Sequence, residues 1–222
     1  MEPKIITTGD GSHSLYHPTL DETYHSRHGA LAESRHVFIQ KGLAHVAPSV
    51  QPVRVLEVGF GTGLNALLTW HYARTERRDV HYTGIEPFPL KEDTWRLLNY
   101  GTTLNSERDF ITLHEVAWNE PHEFEACFTF SKLSVNVEEF RVPVTLYDIV
   151  YYDAFAPEKQ PEMWSAQTLS VVVEAMQPGA ILVTYCAKGQ FRRTLRALGM
   201  DVERIPGPPG KREMTRARKT RS

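Results

Sequence analysis

The residues best equipped for chemistry lie in two runs. One is Glu57-Val58-Gly59-Phe60-Gly61-Thr62-Gly63-Leu64-Asn65, and the other is Tyr152-Asp153-Ala154-Phe155-Ala156-Pro157. In the first, an apolar β-branched stretch meets three glycines at every second residue and then a helical pattern. Glycine adopts φ > 0 and lets a ligand approach the backbone closely. The following helix presents free N–H groups. At the carboxyl end of a parallel strand, such a turn is where open α/β sheets bind nucleotides. A tight turn without ligand is the alternative. The spacing narrows the ligand. The dinucleotide fingerprint is G-x-G-x-x-G, and here the third glycine comes one residue early. A P-loop would require Gly-Lys-Ser/Thr, and no Lys or Arg occurs between Val55 and Arg74. The loop therefore suits a nucleoside better than a pyrophosphate, and Glu57 suits a cationic group. Glu86 ends the next strand pattern, where an acid accepts hydrogen bonds from ribose hydroxyls. Asp153 ends a later one, with Asp148 a weaker candidate inside it.

These residues need a sheet to bring them together. Strand patterns run over Val53–Val58, Val80–Glu86, Phe110–Glu115, Thr145–Tyr152, Ala180–Cys186, Asp201–Ile205 and Arg212–Arg218. Helical patterns cover Leu64–Arg77, Leu90–Tyr100, Ala166–Met176 and Gln190–Leu198. Strands alternating with helices imply a mostly parallel sheet with helices on both faces. The Gly-Pro-Pro-Gly turn before Arg212 makes the last strand antiparallel. Ahead of this fold, residues 1–50 read as an extension of the same domain. It has a hairpin around Asp10-Gly11 and a helix over Gly29–Gly42. Residues 51–222 form the main body, with an insertion near 119–145 whose residues from Phe128 to Val137 alternate like a hairpin.

The chain has 222 residues, 41% hydrophobic and 23% charged, enough for one domain with a real core. No apolar run is long enough for a membrane span and no signal pattern opens the chain, so a cytoplasmic protein is expected. Cys127 and Cys186 stand apart among apolar residues and read as buried thiols. His13, His17, His25, His28 and His36 match no zinc spacing, so no metal is expected. Trp164 reads as a core plug rather than a stacking platform. The net charge of −2 is uneven: Lys211, Arg212, Arg216, Arg218, Lys219 and Arg221 crowd the carboxyl end, and Arg192 and Arg193 precede them. A basic end on an acidic domain suggests an anionic partner.

Glu57-x-Gly59-x-Gly61-x-Gly63 resembles motif I of class I S-adenosylmethionine-dependent methyltransferases, whose Rossmann-like sheet ends in an antiparallel strand. The second run resembles the Asp-Pro-Pro-Tyr-like turn that amine methyltransferases place at this strand end, and the resemblance implies methyl transfer to an amine. The amine must arrive neutral with its lone pair aimed at the methyl carbon, and a carboxylate accepting its N–H fixes that direction. The carboxylate also favours the ammonium form, which cannot attack, so Asp153 is expected to orient more than to deprotonate.

The whole set is more specific. EVGFGTGLN, IEPFPL, YYDAFAPEKQPEMWS and GQFRRTLRALGMDVERIPGPPGKREMTRA, with TYHSRHGALAESRHVFI ahead of them, resemble the methyltransferase domain of the bacterial MnmC family. That family methylates the 5-aminomethyl group of wobble uridine 34 in tRNA, giving 5-methylaminomethyl(-2-thio)uridine. The resemblance implies a stand-alone form without the FAD-dependent oxidase domain. It assigns Glu57, Gly59, Gly61, Gly63, Asn65 and Glu86 to the cofactor S-adenosyl-L-methionine, and Ser26, Gly29 and Glu33 to a segment closing over it. Asp153 becomes the catalytic acid beside the amine. Phe155, Lys211, Arg212, Arg192 and Arg193 become the tRNA side. Two other readings stay open. One is an aminopropyltransferase of the spermidine synthase type, whose loop usually reads G-G-G-D-G. The other is a non-catalytic cofactor- or RNA-binding module.

Overall fold

Apolar residues at every second position build the central strands, and the computed structural model describes them within residues 2–125, 127–142 and 146–220. β1 (Lys4–Thr7), β2 (His13–His17) and β3 (Glu22–Thr23) form a small antiparallel sheet. α1 (Ala30–Ser34) runs into a π-helical turn over Arg35–Gln40. Then follow β4 (Val53–Val58), α2 (Leu64–Glu76), β5 (Val80–Ile85), α3 (Glu92–Trp95), α4 (Tyr100–Thr103) and α5 (Glu107–Glu115). β6 (Pro121–Glu125), β7 (Phe128–Leu133), β8 (Tyr147–Tyr152), α6 (Ala166–Ala175) and β9 (Met176–Thr184) come next. The chain ends with α7 (Gly189–Ala197), β10 (Met200–Pro206) and β11 (Glu213–Lys219).

β4–β11 form one sheet in the order β10-β11-β9-β8-β4-β5-β7-β6. β7, β5, β4, β8 and β9 are parallel neighbours, whereas β6, β11 and β10 run antiparallel to theirs. Side chains alternate between two cores. Val55, Tyr82, Phe130, Tyr151 and Val183 meet Leu67 and Phe110 on one face. Leu56, Val150, Tyr152 and Leu182 meet Leu169, Val172 and Leu195 on the other. Leu15, Leu31 and Phe38 join the first core, so the first fifty residues pack onto the sheet.

Three expectations fail. Phe110–Glu115 is not a strand but the end of α5, which buries Phe110 and Leu113 on one helical face. The sheet position it was to fill belongs to β7, so the stretch read as an insertion supplies a core strand and its edge partner β6. Leu90–Tyr100 is not one helix: α3 and α4 are single turns separated around Asn99. Asn99 Oδ1 accepts from His13 N at 2.7 Å and its Nδ2 donates to Gly11 O at 3.0 Å, tying this break to the β1–β2 turn. Thr145, expected to open the strand before Asp153, lies outside the described residues. Among the described residues no helix is long and apolar enough to cross a membrane.

Candidate active site

β4 pairs with β5 on one side and β8 on the other, so successive connections diverge at its carboxyl end and leave a cleft there. The glycine loop floors this cleft. Gly59 and Phe60 donate to Ile85 O at 3.0 and 3.2 Å, and Asp153 N donates to Val58 O at 3.0 Å. Gly59, Gly61 and Gly63 have φ of 90°, 49° and 74°. A Cβ at Gly59 would lie 2.7 Å from Asp153 O, and one at Gly63 3.0 Å from His114 Nε2. The glycines thus let the loop lie flat against Asp153 on one side and α5 on the other.

Asp153 is joined to the loop by an amide. Asn65 Nδ2, on the first turn of α2, donates to Asp153 Oδ2 at 2.9 Å and to Glu57 Oε1 at 2.8 Å. The hydroxyl of Tyr82, on β5, donates to Glu57 Oε2 at 2.5 Å. Glu57 is fully buried, with both oxygens engaged, and is not on the cleft wall. The structure therefore contradicts direct cofactor binding by Glu57 and makes it a support for Asn65. Burial pushes its carboxyl well above the usual range, with Asp153 adding to the rise and the Tyr82 and Asn65 hydrogen bonds opposing it. Burial also pushes Asp153 up to about 7, helped by Glu33 and opposed by Asn65 and Lys211. Asp153 remains partly open to the cleft. Asp148 accepts from Arg54 N at 2.8 Å and serves strand pairing instead.

The cleft encloses about 610 Å³, within the range of small-molecule sites. Glu86 lies on its wall, accepting from Gly61 N at 3.1 Å and Phe88 N at 2.9 Å. Burial raises its carboxyl, opposed by those two amides. Opposite stands the amino-terminal segment. Glu33 is buried; its Oε2 accepts from Ser26 N at 2.6 Å and its Oε1 pairs with Lys211 Nζ at 2.6 Å. Ser26 and Glu33 are on the wall, whereas Gly29 packs against Asp10 beneath it. Phe155 is on the wall too, its ring edge-on to Tyr24 at 4.9 Å and to His17 at 5.9 Å.

The basic residues divide. Arg192 is buried, donating to Thr215 Oγ1, Met214 O and Glu213 Oε2, so it braces β11 against α7 and offers nothing to a phosphate. Lys211 lines the cleft instead of facing outward. Arg193 and Arg212 are exposed. Trp164 packs in the second core on Phe191 and Tyr152, its indole N–H donating to Phe155 O at 2.8 Å. Cys127 and Cys186 are free thiols, the first half-buried and the second buried. Among the described residues no group of three His, Cys, Asp or Glu could hold a metal ion.

Several supporting residues carried no sequence signal of their own. His25, buried, lies 3.4 Å from Thr62 Oγ1 and 3.2 Å from Ser14 Oγ, and burial holds it near pKa 4, hence neutral. Tyr185 donates to Ala154 O at 2.8 Å just beyond Asp153. Tyr82 was legible only as an inward position of its strand; its partner Glu57 lies on a neighbouring strand, remote in sequence.

The cleft suits a nucleoside carrying a charged tail. Glu86 still has lone pairs for hydroxyls, and five further acids and one lysine are set among the apolar and neutral polar residues of the wall. Comparison with known proteins agrees. A family described as S-adenosyl-L-methionine-dependent methyltransferase matches residues 114–220. The tRNA 5-methylaminomethyl-2-thiouridine biosynthesis bifunctional protein MnmC of Cupriavidus metallidurans is 32% identical over 98% of this chain and 34% of its own length. The Cupriavidus necator protein of the same name is 32% identical over 90% of this chain and 32% of its own. The chain thus spans about a third of the length of these curated relatives. The crystal structure of MNMC2 from Aquifex aeolicus superposes with a TM-score of 0.81 at 27% identity, covering 100% of this chain and 71% of that one. By fold and by these likenesses the chain is an S-adenosyl-L-methionine-dependent methyltransferase, similar over nearly its whole length to about a third of the length of proteins of the MnmC type.

Proposed function

We propose that this chain methylates the 5-aminomethyl group of wobble uridine in tRNA, forming 5-methylaminomethyl(-2-thio)uridine. The observation that carries this reading is Asp153: a carboxylate beside the glycine loop, partly open to the cleft and locked to α2 through Asn65. When bound, S-adenosyl-L-methionine supplies an electrophilic methyl carbon, which the amine's lone pair takes as the carbon–sulfur bond breaks. Glu86 holds the ribose hydroxyls, with Gly59, Gly61 and Gly63 shaping the floor. Asp153 accepts one N–H of the amine and so directs its lone pair. With its carboxyl raised to about 7, it also takes up the proton that the product nitrogen releases. A base must leave its stack to place a 5-substituent in such a cleft. Phe155, Tyr24 and His17 form an aromatic wall for it. The tRNA carrier is supported by the names of the relatives, by exposed Arg212 next to the cleft-lining Lys211, and by exposed Arg193 on α7.

The test is direct. Protein with S-adenosyl-L-methionine and tRNA bearing 5-aminomethyl uridine should yield methylaminomethyl uridine by nucleoside mass spectrometry. The acidic wall also suits a diamine, so putrescine with decarboxylated S-adenosylmethionine forms the second arm. Product in that arm alone would reverse the assignment.

A further inference from the structure

The cleft wall is strongly acidic: Glu22, Glu33, Glu86, Glu138, Asp153 and Glu162 all contribute. Among the described residues, Lys211 is the one Lys or Arg on that wall. It sits in the turn between β10 and β11, and the pairing of Thr215 with Thr184 carries that turn to the carboxyl end of β9. Its Nζ lies 2.6 Å from Glu33 Oε1 and 4.0 Å from the centre of the Tyr185 ring. Both supports are fixed, Glu33 by Ser26 N and Tyr185 by Ala154 O. The turn is fitted to the amino-terminal segment as well. Gly210, at φ 83°, lies so close to His28 that a Cβ would fall 2.1 Å from its ring, and His36 Nε2 is 2.9 Å from Pro206 O.

A methyl donor of the S-adenosylmethionine type ends in an α-ammonium beside an α-carboxylate. The ammonium has several acceptors on this wall. The carboxylate has one cation, and elsewhere it would meet like charge. A lysine ammonium carries three donors, and Glu33 engages one. We infer that Lys211, held by Glu33 and the Tyr185 ring, binds the α-carboxylate of the methyl donor and selects the intact donor over its decarboxylated form. This rests on the proposed function in one respect, that the donor occupies this cleft. It takes Lys211 away from the tRNA phosphates and gives Glu33 a positioning role.

The experiment is calorimetric titration of wild type and Lys211→Met with S-adenosylmethionine and with decarboxylated S-adenosylmethionine. Methionine keeps the apolar stem against Tyr185 and removes the charge. Wild type should prefer the intact donor, and Lys211→Met should lose roughly 10- to 100-fold for it, the worth of one charge-assisted hydrogen bond. Its affinity for the decarboxylated form should change little. Glu33→Gln should weaken the intact donor by a smaller factor, because the lysine loses its anchor. Equal losses for both ligands, or no loss, would overturn the inference. So would a wild type that binds both equally, a result independent of how any variant folds. A wild type that binds neither would overturn the donor-cleft reading itself, a distinguishable failure that removes the inference with it.

Discussion

Asp153 is where burial and function pull against each other. Its folded carboxyl, at about 7, stands above the ordinary Asp value near 3.9. The folded state therefore binds the proton more tightly than the unfolded chain, and stability falls as pH rises from about 4 to 7. On the proposed function, ionised Asp153 is the form that accepts an amine N–H, and it is the form that costs stability. Asp153→Asn keeps an oxygen for Asn65 and removes the charge. It should melt higher than wild type at pH 8, match it near pH 4, and lose at least about 100-fold in methyl transfer. Wild-type turnover should also fall as pH drops below about 7, when the acceptor is protonated. Melting curves at the two pH values and single-turnover rates check this. A variant that melts lower than wild type at pH 8 would show that the buried charge is fully compensated. Glu57 sharpens the same point. It was legible as a ligand-facing acid because it sits at a strand end, yet Tyr82 and Asn65 absorb both its oxygens. Neither hydrogen bond is visible along the chain.

Among the elements, α5 and β7 explain how the glycine loop is held, and why it was hard to foresee. His114 Nε2 lies 3.2 Å from Thr62 O, and its ring stacks on Trp95 at 4.5 Å. Burial and nearby Lys132 hold it near pKa 3, so the neutral ring donates to that carbonyl. Lys132, buried on β7, donates to Leu113 O at 3.0 Å and His114 O at 2.5 Å, closing the end of α5 with a cation where the helix dipole is negative. Burial lowers Lys132 to about 8. Lys132→Met leaves those carbonyls without a donor and should cost about 1–3 kcal/mol. It should raise KM for the methyl donor more than it lowers kcat, because the loop is displaced but Asp153 is not. Denaturant melts and initial rates measure both, and an unchanged stability would remove Lys132 as the cap. In the sequence, Phe110-Ile111-Thr112-Leu113 reads as a strand through its β-branched residues. The acids Glu107 and Asp109 in the preceding turn and the three-residue spacing of Phe110 and Leu113 mark a helix. With that sheet position filled in error, the clean alternation of β7 had no place in the sheet and read as an insertion. β4, β5 and β8 were legible because apolar β-branched and aromatic residues fill their inward positions and each is followed by a glycine or an acid.

Across the molecule, charge is sorted by depth. The cleft is acidic and the net charge is −2, so a polyanion gains nothing from the average field. The basic carboxyl end offers less than its composition implies. Arg216 pairs with Glu203 at 2.7 Å, and Lys219 donates to Val173 O and Met176 O behind α6. Lys211 turns inward, and Arg221 lies outside the described residues. Arg212 and Arg193 differ from these. Both are exposed; Arg212 sits in the turn before β11 at the carboxyl edge of the sheet, and Arg193 lies midway along α7, the helix that follows β9. On the proposed function, a tRNA inserting its wobble base beside Asp153 would bring flanking phosphates toward this edge. Its binding should weaken steeply with salt as counterions are released. Arg193→Ala with Arg212→Ala should weaken binding across tRNA sequences alike and make the logarithmic salt dependence shallower by roughly one for each arginine removed from a phosphate. Affinity for the methyl donor should stay the same, since neither residue lines the cleft. Filter binding over a salt series, with donor titration as the control, separates the outcomes. A slope that does not move would put the tRNA on another face, with the wobble base entering past His17 and Phe155 from the side of the amino-terminal sheet.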